Sequence, residues 1–205
     1  MRTALGAAVL AVAAILATGA GAASSATTAA WTVSPGGPVK AKTSTARLTD
    51  TSTGNTLPCS SRMSGTLRSG SGLSGPGIGS IAEASFPACG GPEGLLRLSV
   101  HGLPWQLDLT SYNRRTETAR GMLSHLRLFL SGPTCTAAID GTSGTASGVV
   151  AVTYSDKTGE LKILPSGGNL HWQDVHGCLG LVGDGDPATL TGTYAVTPIQ
   201  TITSP

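Results

Sequence analysis

Charge and aromatic rings are scarce in this sequence. Lys, Arg, Asp and Glu make up 12% of the chain, aromatic residues 4%, and the formal net charge is +2. A sparsely charged, near-balanced chain has no electrostatic footprint for nucleic acid or an anionic membrane surface, so neither is expected as a partner. Close cysteine pairs are missing too. The four cysteines stand 30, 46 and 43 positions apart, whereas a zinc site normally shows C-x-x-C spacing, so no metal or other cofactor is expected. No serine lies in G-x-S-x-G, which leaves only a Ser/His/Asp triad dispersed along the chain or an unrecognised acid pair as routes to hydrolysis. Sustained helical spacing is absent, and only the N-terminus carries a long apolar run.

That run begins after Met1-Arg2-Thr3 and is uncharged from Ala4 to Ala17, with Leu5, Val9, Leu10, Val12, Ile15 and Leu16. A basic n-region, an apolar h-region and Ala20-Gly21-Ala22 define a signal peptide over 1–22, with cleavage expected after Ala22. The run falls short of the roughly 20 residues that span a bilayer, so no membrane insertion is expected after cleavage. A small-residue leader follows over 23–30, and the patterned domain covers 31–205. In an oxidising compartment Cys59, Cys89, Cys135 and Cys178 read as two disulfides.

Within the domain, apolar residues recur with period two. Leu96, Leu98 and Val100 alternate with Arg97 and Ser99, and Trp105, Leu107 and Leu109 with Gln106 and Asp108. Leu126, Leu128 and Leu130 follow the same rule, as do Val150, Val152 and Tyr154, and Leu190, Tyr194 and Val196. One buried and one solvated face is the mark of antiparallel strands. Turns are expected at Thr53-Gly54-Asn55, Tyr112-Asn113-Arg114, Asp156 to Gly159 and Gly183 to Pro187. The clearest hairpin runs from Gly148 to Leu164. The expected fold is all-β, an antiparallel sandwich or barrel of many short strands.

Two further patterns concern organisation. From Ser64 to Ser80, 11 of 17 positions are Gly or Ser, which predicts a long mobile connection or a weak edge strand. Trp31 precedes Cys59 by 28 positions and Trp105 precedes Cys135 by 30, which suggests pseudo-repeats over 31–100 and 105–196. Under that duplication the disulfides are sequential, Cys59 with Cys89 and Cys135 with Cys178.

Five stretches together resemble a group of small secreted actinobacterial proteins with no assigned activity. They are Trp31 to Pro35, Ser69 to Ile81, the box Gly102-Leu103-Pro104-Trp105-Gln106-Leu107, Gly168 to His171 and Val196 to Thr203. The resemblance implies export and an extracellular or cell-wall setting, and it brings no catalytic or binding residues.

The remaining candidates for chemistry are few. Gly70-Ser71-Gly72-Leu73-Ser74-Gly75 spells G-x-G-x-x-G, but Pro76-Gly77 follows where a phosphate-binding helix would have to begin, so a loop is expected. His171, Asp174 and His176 are the densest group of metal-capable side chains. On a straight strand 171 and 176 face opposite ways, and a shared ion needs a turn at Gln173 to Val175. Asp184 and Asp186 offer two oxygens where calcium takes six to eight, so a solvated turn is expected. Glu83, Glu93, Asp108, Glu117 and Asp140 read as exposed strand or turn residues. Trp105 reads as core, and Trp172, between His171 and Gln173, as an exposed contact. The resulting expectation is a non-enzymatic extracellular or wall-associated protein that touches a cell-wall component or a small ligand. A small hydrolase is the alternative.

Overall fold

The computed structural model describes residues 30–89, 95–142 and 146–205. The expected signal peptide, its cleavage point, nearly all of the leader and Glu93 lie outside the described residues. The strands in chain order are β1 (Trp31–Ser34), β2 (Gly37–Asp50), β3 (Thr56–Leu67), β4 (Gly70–Leu73), β5 (Gly79–Cys89), β6 (Arg97–His101) and β7 (Trp105–Asn113). They continue with β8 (Thr118–Ser131), β9 (Thr136–Gly141), β10 (Gly148–Ser155), β11 (Glu160–Ile163), β12 (Leu170–His176), β13 (Ala188–Thr197) and β14 (Thr201–Thr203). The fold is all-β, and every pairing is antiparallel.

Between sandwich and barrel, the strand pairings decide for the barrel. β2 pairs β3, β3 pairs β5, β5 pairs β7 and β7 pairs β8. From β8 the ring continues through β10, β11 and β13 back to β2. That is a closed eight-stranded antiparallel barrel, and closure removes the exposed strand edges that an open sheet must otherwise protect. The expected turns at Thr53–Asn55, after Tyr112, and at Asp156–Gly159 each connect two paired strands.

A second sheet grows out of the barrel because β8 changes face midway. Ala119, Gly121 and Leu123 are buried, then His125 is exposed and Leu126, Leu128 and Leu130 are buried, so the parity shifts by one. Gly148 faces Leu126 and Val149 faces Ser124, which leaves His125 as the extra residue of a bulge at φ 67°. A bulge bends the strand and sharpens its twist. Beyond it, β8 leaves β7 and pairs with β6 and β9, and β9 pairs with β12. A third sheet has the order β14-β1-β4. Its edge strand β4 holds Gly70 to Leu73, so the glycine-rich stretch supplies an ordered edge strand.

Side chains fill the barrel. On its strands Trp105, Tyr194, Leu48 and Leu123 are at most 2% exposed, in one continuous core that also takes in Trp31 from β1 and Trp172 from β12. An eight-stranded barrel is just wide enough for such filling. Between the packed side chains lies an apolar cavity of about 50 Å³ among residues such as Val39, Leu107, Val152 and Ile202. Ligand pockets usually measure roughly 300–1,000 Å³, so this cavity is too small for an organic ligand of ordinary size. The chain end closes over this cavity. The Tyr154 hydroxyl donates to the Gln200 carbonyl at 3.0 Å and accepts from the Gln200 amide at 2.8 Å, while the Ile202 amide donates to Asp156 Oδ1 at 3.0 Å.

Two disulfides complete the framework, Cys59–Cys89 and Cys135–Cys178. Cys59 and Cys89 face each other across β3 and β5, and the second bridge joins the ends of the paired β9 and β12. Strands from 31–100 and from 105–196 share the one barrel.

Candidate functional site

The outward face of the β2–β3 hairpin gathers cations. On β2, Val39 and Ala41 turn inward, so Lys40 and Lys42 point out. On β3, Met63 turns inward and Arg62 points out. Register places Lys42 directly opposite Arg62 and Lys40 opposite Ser64. The neighbours are small: Lys42 faces Ala195 and Lys40 faces Thr197 on β13, and Arg62 faces Ser85 on β5. Long side chains rising beside short ones leave a groove of about 540 Å³ over β13, β2, β3 and β5.

None of these three cations is within 4.0 Å of a carboxylate among the described residues, where the ion pairs are Arg127–Asp140, Lys157–Glu117 and Lys162–Glu160. The acids at the flanks are occupied otherwise. Glu83 accepts the Ser64 hydroxyl at 2.7 Å, and Glu160 holds Lys162 at 3.6 Å. Like charges directly opposite on a ladder cost about 0.2–1 kcal/mol. The arrangement therefore favours an oxyanion between Lys42 and Arg62, since the guanidinium fork matches carboxylate or phosphate and the ammonium adds a point charge.

Hydrolysis of a sugar chain is poorly served here. Glu83 on β5 and Glu160 on β11 are separated by four strand spacings of about 4.8 Å, or about 19 Å along the wall. Inverting glycosidases need carboxyl groups roughly 6.5–9.5 Å apart and retaining ones about 5 Å.

The outer face of the second sheet carries the most enzyme-like row. His101, Arg127, Asp140 and His171 are successive cross-strand neighbours on β6, β8, β9 and β12. Ser99 Oγ stands 3.5 Å from His101 Nε2. Its proton goes elsewhere, to the Phe129 carbonyl at 3.4 Å, and the one acid in the row is already engaged. Asp140 accepts from the amides of Gly141, Ala146, Ser147 and Gly148 and forms an ion pair with Arg127 at 3.4 Å. A nucleophile needs a base aligned on it and a third group orienting that base, and this row supplies neither. Asp140, expected on the surface, is 1% exposed because it ties the β9–β10 connection to β10.

The other expected candidates scatter. β12 does bend where a shared ion would require it: Asp174 has φ 50° and the register with β9 slips between Gln173 and His176. His171, however, lies with Nδ1 3.0 Å from the Asn169 carbonyl. Asp184 Oδ1 accepts the Val175 amide at 3.3 Å, and the Asp186 carbonyl accepts the Trp172 amide at 2.8 Å, so this turn docks onto β12. Among the described residues no three His, Cys, Asp or Glu side chains gather as metal ligands. The expected exposed contact at Trp172 is overturned. The ring is 2% exposed, because period two on β12 buries Leu170 and Trp172 and turns His171 and Gln173 the other way. Trp105 is fully buried, as its face-sharing with Leu107 and Leu109 implies.

The fold thus defines a filled, closed barrel with a side sheet and an outward cationic groove. Comparison with protein-family models, curated proteins and solved structures gives no match. Among the described residues no helix is long and apolar enough to cross a membrane.

Lys40, Lys42 and Arg62 are the residues that sequence reasoning missed. Nothing in the sequence pairs position 42 with position 62, so the juxtaposition exists only once the hairpin register is known.

Proposed function

We propose that this chain is an exported, non-enzymatic binding protein, extracellular or wall-associated, that holds an anionic ligand against the outer wall of its barrel. The observation that carries the reading is the Lys42–Arg62 pair, two cations directly opposite each other in a concave groove whose one acid, Glu83, is bonded to Ser64 and pairs with neither. Export is supported by the N-terminal pattern, by two disulfides, which persist in oxidising compartments, and by the resemblance to small secreted actinobacterial proteins.

Calorimetric titration of the protein with sulfated dextran tests the reading. Binding is expected to weaken with added salt, since exposed charges are screened within about 8 Å at physiological ionic strength. The double variant Lys42→Ala/Arg62→Ala is expected to lose about tenfold or more in affinity, or 1.4 kcal/mol. Both residues are exposed, so its melting temperature should stay near the parent's. A double variant that binds as well as the parent would sink the reading.

A further inference from the structure

The cationic groove has a neighbour of different chemistry. A second hollow of about 620 Å³ adjoins it and shares Lys42, Arg62 and Ala195. Its walls carry hydroxyls, from Thr43, Ser44 and Thr45 on β2, Ser60 on β3 and Thr193 on β13, with the Glu160 carboxylate of β11 at its far side, held by Lys162.

The hollow has a definite structural origin. Thr43 faces Ser61 and Ala46 faces Cys59, so β2 spends two residues, Ser44 and Thr45, against one on β3. The register with β13 slips at the same place, between Lys42 and Arg47. The bulge is pinned internally: the Thr45 amide donates to Thr43 Oγ1 at 3.0 Å, and the two threonine hydroxyls lie 3.0 Å apart. Bulges re-aim side chains and are over-represented beside functional sites. Here the bulge turns hydroxyls outward next to the cation pair.

Resting on the anion-binding reading above, we propose that the ligand is an extended acidic glycan lying along β2. Its anionic groups sit over Lys40, Lys42 and Arg62, and the hydroxyl-bearing ring edges of the adjoining sugars sit in the Thr/Ser hollow. A lone oxyanion uses only the Lys42–Arg62 pair and leaves both hollows empty. With about 3.4 Å per strand residue, Lys40 stands about 7 Å from Lys42, which suits a second charge on a chain better than a second oxygen of one ion. Hydroxyl groups both donate and accept, so a hydroxyl-lined wall pairs with sugar hydroxyls in both roles, whereas a bare polyanion can use only its donors. With its flanking acids about 19 Å apart, the groove holds such a chain without cutting it.

Three probes separate the possibilities: oligogalacturonate as an acidic glycan, linear polyphosphate of equal charge, and neutral dextran. The proposal expects oligogalacturonate to bind about tenfold more tightly than polyphosphate, and dextran to bind negligibly. Thr193→Trp fills the hydroxyl hollow from an exposed strand position. It should weaken oligogalacturonate about tenfold and polyphosphate much less. Ser44→Trp, from β2, gives the same readout if the first variant does not fold. Equal binding of the two polyanions, with neither sensing the tryptophan, would overturn the glycan and leave the anion groove standing. Absence of binding to both would overturn the glycan and the anion groove together.

Discussion

Asp156 sits at the mouth of the barrel with both carboxylate oxygens in use. Oδ1 accepts the Ile202 amide at 3.0 Å and Oδ2 the Tyr112 hydroxyl at 3.2 Å, so this acid ties the closing strand β14 to the β10–β11 turn. Burial raises its pKa above the ordinary carboxylate value, and these two hydrogen bonds only partly oppose that shift. A raised pKa means that the native state holds the proton more tightly than the unfolded chain. The associated stability is therefore present below the unfolded pKa and lost as pH rises through the folded one. Asp156→Asn keeps the shape and an acceptor but cannot titrate. The stability of the parent minus that of the variant, from urea melts between about pH 3 and pH 7, should fall as pH rises. A difference that is flat or rises with pH would show that the carboxylate is not held in a desolvated position. Asp50 is a second acid used as a fastener: its oxygens accept the amides of Ser52, Thr53 and Gly183, tying the β2–β3 turn to the loop before β13.

At the scale of elements, β8 is the strand on which the architecture turns, and the second sheet it founds is stapled by Cys135–Cys178. That bridge closes an interval of 43 residues and Cys59–Cys89 one of 30. In the chain-entropy view such loops contribute about 4 and 3.6 kcal/mol. Cys135→Ala/Cys178→Ala should therefore lower unfolding free energy by about 2–5 kcal/mol. Hydrogen exchange should show the loss first in β9 and β12, which the bridge joins, and later in the barrel strands β2, β3 and β13. Uniform loss of protection would mean that the side sheet and barrel unfold as one unit. Period two in the sequence made β6, β7, β8, β10 and β13 legible. It did not expose β2, because inward positions there are small, as at Ala41 and Ala46, and the bulge at Ser44–Thr45 moves the buried set from odd to even positions; on β3 the polar Ser61 interrupts the inward set of Leu57, Cys59, Met63 and Leu67. The candidate site lies on those two strands, which is why sequence patterning passed over it.

For the molecule as a whole, packing of the barrel with its added sheets puts every tryptophan and two of three tyrosines in the core. Burial raises the pKa of Tyr154 and Tyr194, and burial with the nearby Asp156 charge raises that of Tyr112. All three phenols should thus remain neutral beyond the ordinary value of 10.0 in the native state. Stability tied to a raised tyrosine pKa is present below the unfolded value and lost as pH climbs through the folded one. An absorbance titration at alkaline pH should therefore show ionisation above the ordinary value, with the Tyr154 and Tyr194 phenolates appearing together with loss of β circular dichroism. More than one phenol titrating normally while the fold is intact would contradict the filled barrel, since Tyr112 alone lies outside the core. The sequence by itself determined the class of fold and the disulfide count, because alternation, turn residues and cysteine spacing are local properties. Barrel closure, the burial of Trp172 and Asp140, and the meeting of Lys42 with Arg62 were decided only by the tertiary structure. Each depends on register and bulges, through which partners far apart in the chain fix which face a residue presents.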